Sequence, residues 1–237
     1  NERIDVFSLK EQVYRKQFKE KYKKRKNIAK YNGKKYDDYL KFKEDNPNTP
    51  TIEMDTVYNN KSGPYIQTFL FEKTMFMFGL IHQEKTSLSM ANGLEKIEND
   101  LGHDLYRIHF SLILTDRGTE FEKHELFEFN IKTGEFRTNI FYCDPMQSSQ
   151  KSKIENNHNY VRDIITNELD ISNITQKDLD LVFSHINSTP RESLNGKTPY
   201  ELQEFLYGKE LIEKLNIKQI KRDEVILKPY LIKHIYK

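Results

Sequence analysis

Three carboxylates stand at places in this chain where an acid needs explaining. Asp55 sits inside the apolar run Ile52-Glu53-Met54-Asp55-Thr56-Val57, and an acid within such a strand costs free energy unless it is paired or holds a metal. Asp116 follows the apolar Leu112-Ile113-Leu114-Thr115 and leads into Arg117-Gly118-Thr119-Glu120-Phe121; in open α/β sheets, sites collect outside the carboxyl ends of strands. Glu155 lies in Lys153-Ile154-Glu155-Asn156-Asn157-His158, within a stretch that reads as a helix from about Gln150 to Thr166. There Ile154, His158, Val161 and Ile165 recur at helical spacing and should face a sheet, with Glu155, Asn159 and Arg162 on the adjoining stripe. If the first strand is central and the fourth is its parallel neighbour, Asp55 and Asp116 come side by side, and a helix across the sheet brings Glu155 over them. Such acids repel one another unless divalent ions bind, and hard oxygen ligands select Mg²⁺ or Mn²⁺. Two ions about 3.5–4 Å apart would suit in-line phosphoryl transfer. Each acid also has a plainer reading: Asp116 as a turn residue or helix cap, Glu155 as a solvated helix glutamate.

The elements that must position these acids are legible in outline. The basic stretch 1–36 reads as one or two helices broken near Asn32-Gly33, followed by a short helix over 36–46. Asn46-Pro47-Asn48-Thr49-Pro50 is a turn-rich linker, because its prolines block helix and remove donors, and a domain boundary is placed there. Strands are predicted over Thr51–Tyr58, Tyr65–Glu72 and Thr74–Ile81. A helix follows over about Ser87–Asn99, then a fully buried strand over Ile108–Thr115, a short helix over Glu120–Leu126, and a hairpin of Phe127–Ile131 with Glu135–Tyr142. After the Glu155 helix come helices over Thr175–Ile186, Pro199–Leu206 and Lys209–Leu215 and a last strand over Val225–Ile232. The Pro199 helix carries its own start signal: Thr198 as N-cap, Pro199 at the first helical position, Glu201 at the third. The order of three strands, helix, strand, then an added hairpin and a long helix is that of an α/β, RNase H-like mixed five-stranded sheet flanked by helices. It is assigned to residues 50–207, with a basic helical arm at 1–49 and a small extension at 208–237.

Composition narrows the classes. The chain has 237 residues, 36% hydrophobic and 31% charged, with a formal net charge of +2. Between Lys10 and Lys35 stand twelve lysines and arginines against two glutamates, so a local excess of ten positive charges is joined to a remainder with an excess of eight negative ones. A basic arm on an acidic body suits a nucleic-acid enzyme, the arm meeting phosphate without reading sequence; Lys23, Lys24, Arg25 and Lys26 are its densest part. The arm is equally readable as a solvated helix. One cysteine, Cys143, excludes an internal disulfide and a cysteine-based zinc site, and reads as a buried thiol. No apolar run is long enough to span a bilayer, and no signal peptide is evident.

Met54-Asp55-Thr56-Val57, Leu114 to Phe121, Phe141-Tyr142-Cys143-Asp144-Pro145, Glu155 to Arg162, and Ile186 to Leu202 together resemble, in this order, the successive motifs of the DDE insertion-sequence transposases of the IS-thirty family, whose catalytic core is of the retroviral-integrase type. The resemblance covers about residues 50–207. It implies that Asp55, Asp116 and Glu155 are the catalytic, metal-binding triad, that Arg162 is the basic residue seven positions beyond the glutamate, and that two Mg²⁺ or Mn²⁺ ions serve each site. Lys153 and Asn159 join Arg162 as candidate DNA contacts. The implied activity is cleavage at transposon ends followed by transfer of the freed 3′-hydroxyl into target DNA, by a homodimer or higher oligomer on DNA in the bacterial cytoplasm, nucleoid-associated and without a membrane. A catalytically silent DNA-binding relic and an RNase H-like nuclease without strand transfer are the alternatives. The second and third acids are 39 positions apart, longer than usual, and the family's Pro-Lys-Gly after the catalytic helix is replaced by Thr166-Asn167-Glu168. No N-terminal helix-turn-helix is evident, as if the chain starts in the linker that follows one. His158 is read as a packed, hydrogen-bonded histidine. Glu120 is either near the metals or a first-turn helix acid, and Glu53, on the same strand parity as Asp55, is either a supporting acid or solvated. Arg191 is read as either a DNA contact or a surface ion pair.

Overall fold

The computed structural model describes residues 31–236; the arm residues Lys23, Lys24, Arg25 and Lys26 lie outside them. The described chain runs through α1 (Tyr36–Asp45), β1 (Ile52–Val57), β2 (Tyr65–Phe71), β3 (Met77–His82), α2 (Ser87–Leu101), α3 (His103–His109), β4 (Leu112–Thr115), α4 (His124–Glu128), β5 (Asn139–Tyr142), α5 (Ser152–Ile164), α6 (Gln176–Asn187), α7 (Pro199–Tyr207) and α8 (Lys209–Lys214), with 3₁₀ turns between and after them. The strands form one sheet in the order β3-β2-β1-β4-β5. β1–β2 and β2–β3 are antiparallel, while β1–β4 and β4–β5 are parallel. This is the mixed five-stranded RNase H-like arrangement that the element order implies, with β1 in the centre.

Side-chain alternation decides what covers each face. On β4, Ile113 joins the main core, while Leu112 and Leu114 turn the other way and meet Tyr39 of α1, Phe141 and Cys143; the period of two puts neighbours on opposite faces. Both faces are covered, which is why this strand reads as a continuous apolar run. On the face that Glu53, Thr68 and Leu114 share, Ile154, Val161 and Ile164 of α5 and Leu179, Val182, Phe183 and Ile186 of α6 are fully buried with Ile66, while Met54, Phe69 and Phe78 point with Ile113 to the other face. α2 continues into α3 through Gly102, whose φ of 84° is one that side chains other than glycine rarely adopt. As expected, Thr198 caps α7: its hydroxyl accepts from Glu201 N at 3.1 Å, and Thr198 N donates to Glu201 Oε2 at 2.8 Å.

Two expected elements take other forms. The hairpin of 127–131 with 135–142 is reduced to one antiparallel bridge, between Phe129 and Phe136, flanked by bonds from Asn130 N to Glu135 O and from Arg137 N to Glu128 O, both 2.8 Å. Residues 124–128 are helical, and Asn139–Tyr142 pairs in parallel with β4. The cause is Arg137, whose fully buried guanidinium donates to Phe127 O at 2.8 Å and Leu126 O at 2.9 Å and pairs with Glu95 at 2.9 Å. The segment wraps around this arginine rather than extending beside its neighbour. The expected last strand over 225–232 is replaced by 3₁₀ turns at Arg222–Glu224 and Pro229–Tyr236. Pro229 cannot donate to a strand ladder, and Ile232 and Ile235 are buried in the main core instead. The strand expected over 108–115 is shortened at its start, because His103–His109 is helical. Among the described residues, no helix is long and apolar enough to cross a membrane.

Candidate active site

The parallel register of β1 with β4 sets Ile52 opposite Ile113 and Glu53 opposite Leu114. Two steps further along, the same register brings Asp55 beside Asp116, just past the end of β4. Each aspartate divides its oxygens between two partners. Asp55 Oδ1 accepts from Thr56 N at 2.8 Å, and Asp116 Oδ1 accepts from Gly118 N at 2.9 Å. The other oxygens turn to one cation: Lys151 Nζ lies 2.9 Å from Asp55 Oδ2 and 3.5 Å from Asp116 Oδ2. Lys151 is only 5% exposed. Burial alone would lower the pKa of its ammonium, but Asp55 and Asp116 outweigh that and hold it above the usual lysine value.

Glu155 follows Lys151 by one helical turn. Its carboxyl pKa is raised, first by burial; Lys151 opposes the rise, and Asp55 and Asp116 add to it. All three acids therefore share one electrostatic neighbourhood. Among the described residues, no three Asp, Glu, His or Cys side chains are drawn tightly enough together to hold an ion as they stand, and Lys151 is the group placed between the two aspartates. Hard oxygen donors around a shared cation fit Mg²⁺ or Mn²⁺, with the ammonium as the present stand-in.

The surrounding residues fix this geometry. Asp144 ties the end of β5 to the turn before α5: its Oδ1 receives Arg117 at 2.9 Å, its Oδ2 receives Gln150 Nε2 at 3.2 Å, and its N–H donates to Gln150 Oε1 at 2.7 Å. That clamp sets Lys151 and the first turn of α5 against β4. Glu53 is buried, and its Oε2 accepts from Ile154 N at 2.7 Å, satisfying one of the free amides at the start of the helix that carries Glu155. Burial pushes the Glu53 carboxyl up to about 7, the Ile154 bond opposing. Glu120 is buried and paired with Lys85 at 3.0 Å. A Cβ at Gly118 would lie 2.7 Å from Glu120 Oε2 and 3.0 Å from Asp116 Oδ1, so glycine there lets the two carboxylates share the turn. His158 packs as expected: its Nε2 bonds Thr68 Oγ1 at 2.9 Å, its Nδ1 lies 3.9 Å from Asp55 Oδ2, and burial lowers its pKa to about 4. Cys143 is a buried thiol whose pKa burial pushes up to about 12, which leaves it unreactive.

The candidate DNA contacts fall in different settings. Lys153 Nζ lies 2.9 Å from Glu72 Oε1 and 3.2 Å from Glu72 O. Arg162 donates to Asn59 Oδ1, to Tyr58 O at 3.2 Å and to Ile165 O at 3.4 Å, tying the turn after β1 to the end of α5. Asn159 is exposed on the same helix. Arg191 is not in a surface ion pair; its guanidinium is buried 3.3 Å above the Tyr160 ring and donates to Ile186 O at 3.1 Å. Lys151 and Lys85 belong to no motif read from the sequence. For Lys151 the usable signal is its spacing of four from Glu155, which puts both on one helical face.

The chain is similar in part to several known proteins. Over 152 residues the chain is 30% identical to "Transposase InsI for insertion sequence element IS30C" of Escherichia coli (strain K12), a match covering 64% of this chain and 37% of that protein. Over 87 residues it is 29% identical to "Transposase for insertion sequence element IS1086" of Cupriavidus metallidurans, covering 37% of this chain and 24% of that protein. By sequence, this chain is similar to these insertion-sequence transposases over the matched segments. The chain spans 37% of the length of the first of these relatives and 24% of the second. No family model matches. Solved structures similar to this chain include the catalytic core domain of BIV integrase (17% identity, TM-score 0.44, 65% of this chain and 93% of that one) and the HTLV-2 integrase catalytic core domain in complex with magnesium (15% identity, TM-score 0.44, 65% and 95%).

Proposed function

We propose that this chain is the catalytic part of a DDE transposase: a polynucleotidyl transferase that cuts DNA at transposon ends and joins the freed 3′-hydroxyl to target DNA. The observation that carries the reading is that Asp55 on β1 and Asp116, just past the end of the adjacent parallel β4, turn one oxygen each to a single shared cation, with Glu155 one helical turn beyond it on α5. Asp55, Asp116 and Glu155 would hold Mg²⁺ or Mn²⁺, two ions per site. Bound there, the metal supplies charge stabilisation for phosphoryl transfer and favours ionisation of the attacking hydroxyl. The chain's own residues supply the frame. The Thr56 and Gly118 amides fix one oxygen of each aspartate, the Glu53 carboxyl fixes the start of α5, and neutral His158 packs the helix against β2. DNA, both element ends and target, is the proposed partner, with a homodimer or higher oligomer forming on it in the bacterial cytoplasm.

Incubation with duplex DNA carrying the element's ends, a labelled target and Mg²⁺ or Mn²⁺ tests the proposal. Joined products are expected from the wild type, and none from folded Asp55→Asn, Asp116→Asn or Glu155→Gln proteins, each of which loses an anionic ligand while keeping its shape. Nicked DNA without joined product would instead indicate a nuclease. Full joining by any one folded variant removes that residue from the mechanism.

A further inference from the structure

Lys151 is the side chain that touches both aspartates. Its stem is buried and its ammonium is shared between Asp55 and Asp116 at 2.9 and 3.5 Å. It occupies the helix N-cap position of α5, the residue before it is clamped by Asp144, and Glu155 follows one turn later. A lysine on a plain solvated helix face would not be buried against two carboxylates. An ammonium and a divalent ion cannot both use the same two oxygens, because like charges at such a distance repel strongly in a partly buried site.

We propose that Lys151 is a built-in competitor for the metal site: its ammonium neutralises Asp55 and Asp116, and a divalent ion gains them only by displacing it. This rests on the reading of Asp55, Asp116 and Glu155 as metal ligands. The lysine stem is flexible and its head is strongly hydrated when released. The Asp116 side chain is 46% exposed against 18% for Asp55, so the Asp116 side is the way out to solvent. The consequence is a threshold: the acids stay paired and the fold around them stays neutralised until the divalent ion is concentrated enough to win.

The test is Mn²⁺ binding to the whole chain, followed by electron paramagnetic resonance without DNA. Lys151→Met keeps the apolar stem and removes the charge, and it is expected to bind Mn²⁺ about tenfold or more tightly than wild type. Lys151→Arg keeps the charge and should bind close to wild type, while Asp116→Asn should bind more weakly. Lys151→Met binding no more tightly than wild type, with Asp116→Asn weakened, overturns the competitor role and leaves the metal site standing. Asp116→Asn binding as tightly as wild type overturns the metal site itself. Should Lys151→Met fail to fold, wild-type protein with ¹⁵N-labelled lysine decides. The protected Lys151 ammonium signal, assigned by its loss in Lys151→Arg, should disappear on saturation with Mg²⁺, and its persistence at saturation contradicts displacement.

Discussion

Asp55 and Asp116 each use one oxygen to hold the backbone in place and offer the other to a cation, so replacing either does more than delete a charge. The Asp55→Asn and Asp116→Asn proteins retain an oxygen for the Thr56 and Gly118 amides, and this makes them cleaner probes than alanine. Glu53 gives a prediction with a defined sign. Its folded pKa, about 7, lies above that of an exposed glutamate because burial penalises the charged form. Its contribution to stability is therefore complete below pH about 4.5 and is lost as pH rises through about 7, up to about 3 kcal/mol in all. Glu53→Gln keeps an acceptor for Ile154 and cannot ionise, so the difference in stability between variant and wild type should move in the variant's favour across that window. Urea unfolding at a series of pH values measures it, and a pH-independent difference contradicts the role given to Glu53. Asp55 stands out in the sequence because it interrupts an apolar strand, whereas Asp116 and Glu155 have plain local readings and are singled out by their joint order and by the motifs around them. The Glu53 contact is not legible there, since its partner lies 101 residues away. Nor is Lys151, whose burial depends on a strand register that no local pattern reports.

At the scale of elements, the first three strands, the buried fourth strand and the helix carrying Glu155 are legible because their periodicity is strong. The segment between β4 and β5 is not, because its conformation is dictated by one buried side chain. Arg137 ties the turn to α2 through Glu95 at 2.9 Å and Glu98 at 3.5 Å, and Asn130 donates to Glu98 at 2.9 Å. This network occupies the place where the sequence suggests a hairpin, and it accommodates the long spacing between Asp116 and Glu155. Arg137→Met removes the buried cation shared by Glu95 and Glu98, leaving them only the more exposed Lys132 at 3.9 Å and His103 at 3.1 Å, and a loss of about 3–5 kcal/mol is expected. Denaturant unfolding checks the size. A loss under about 1 kcal/mol, the range of surface pairs, would mean that solvent reaches the network. The C-terminal stretch, apolar enough to suggest a strand, turns at Pro229 and packs by its isoleucines. Sheet membership depends on a free edge, which composition does not reveal.

At the scale of the whole molecule, the chain joins a strongly basic stretch to an acidic remainder. Deleting residues 10–35 should weaken non-specific DNA binding and flatten its salt dependence. If the stretch neutralises about four phosphates, the log–log slope falls by roughly 3.6. Fluorescence anisotropy over a salt series reads the slope, and an unchanged value assigns the stretch another role, such as contact between subunits. The proposed metal site is likewise a property of the whole fold, because β1, β4 and α5 place the three acids in one neighbourhood and an unfolded chain does not. On the proposed reading, Mg²⁺ stabilises the folded state by mass action. The most direct measurement compares thermal unfolding of wild type and Asp116→Asn with and without Mg²⁺ at matched ionic strength. For a dissociation constant of about 1 mM, 10 mM Mg²⁺ should add roughly 1.4 kcal/mol to the wild type and clearly less to the variant. An identical shift in the two proteins would contradict the assignment of Asp55, Asp116 and Glu155 as the metal site.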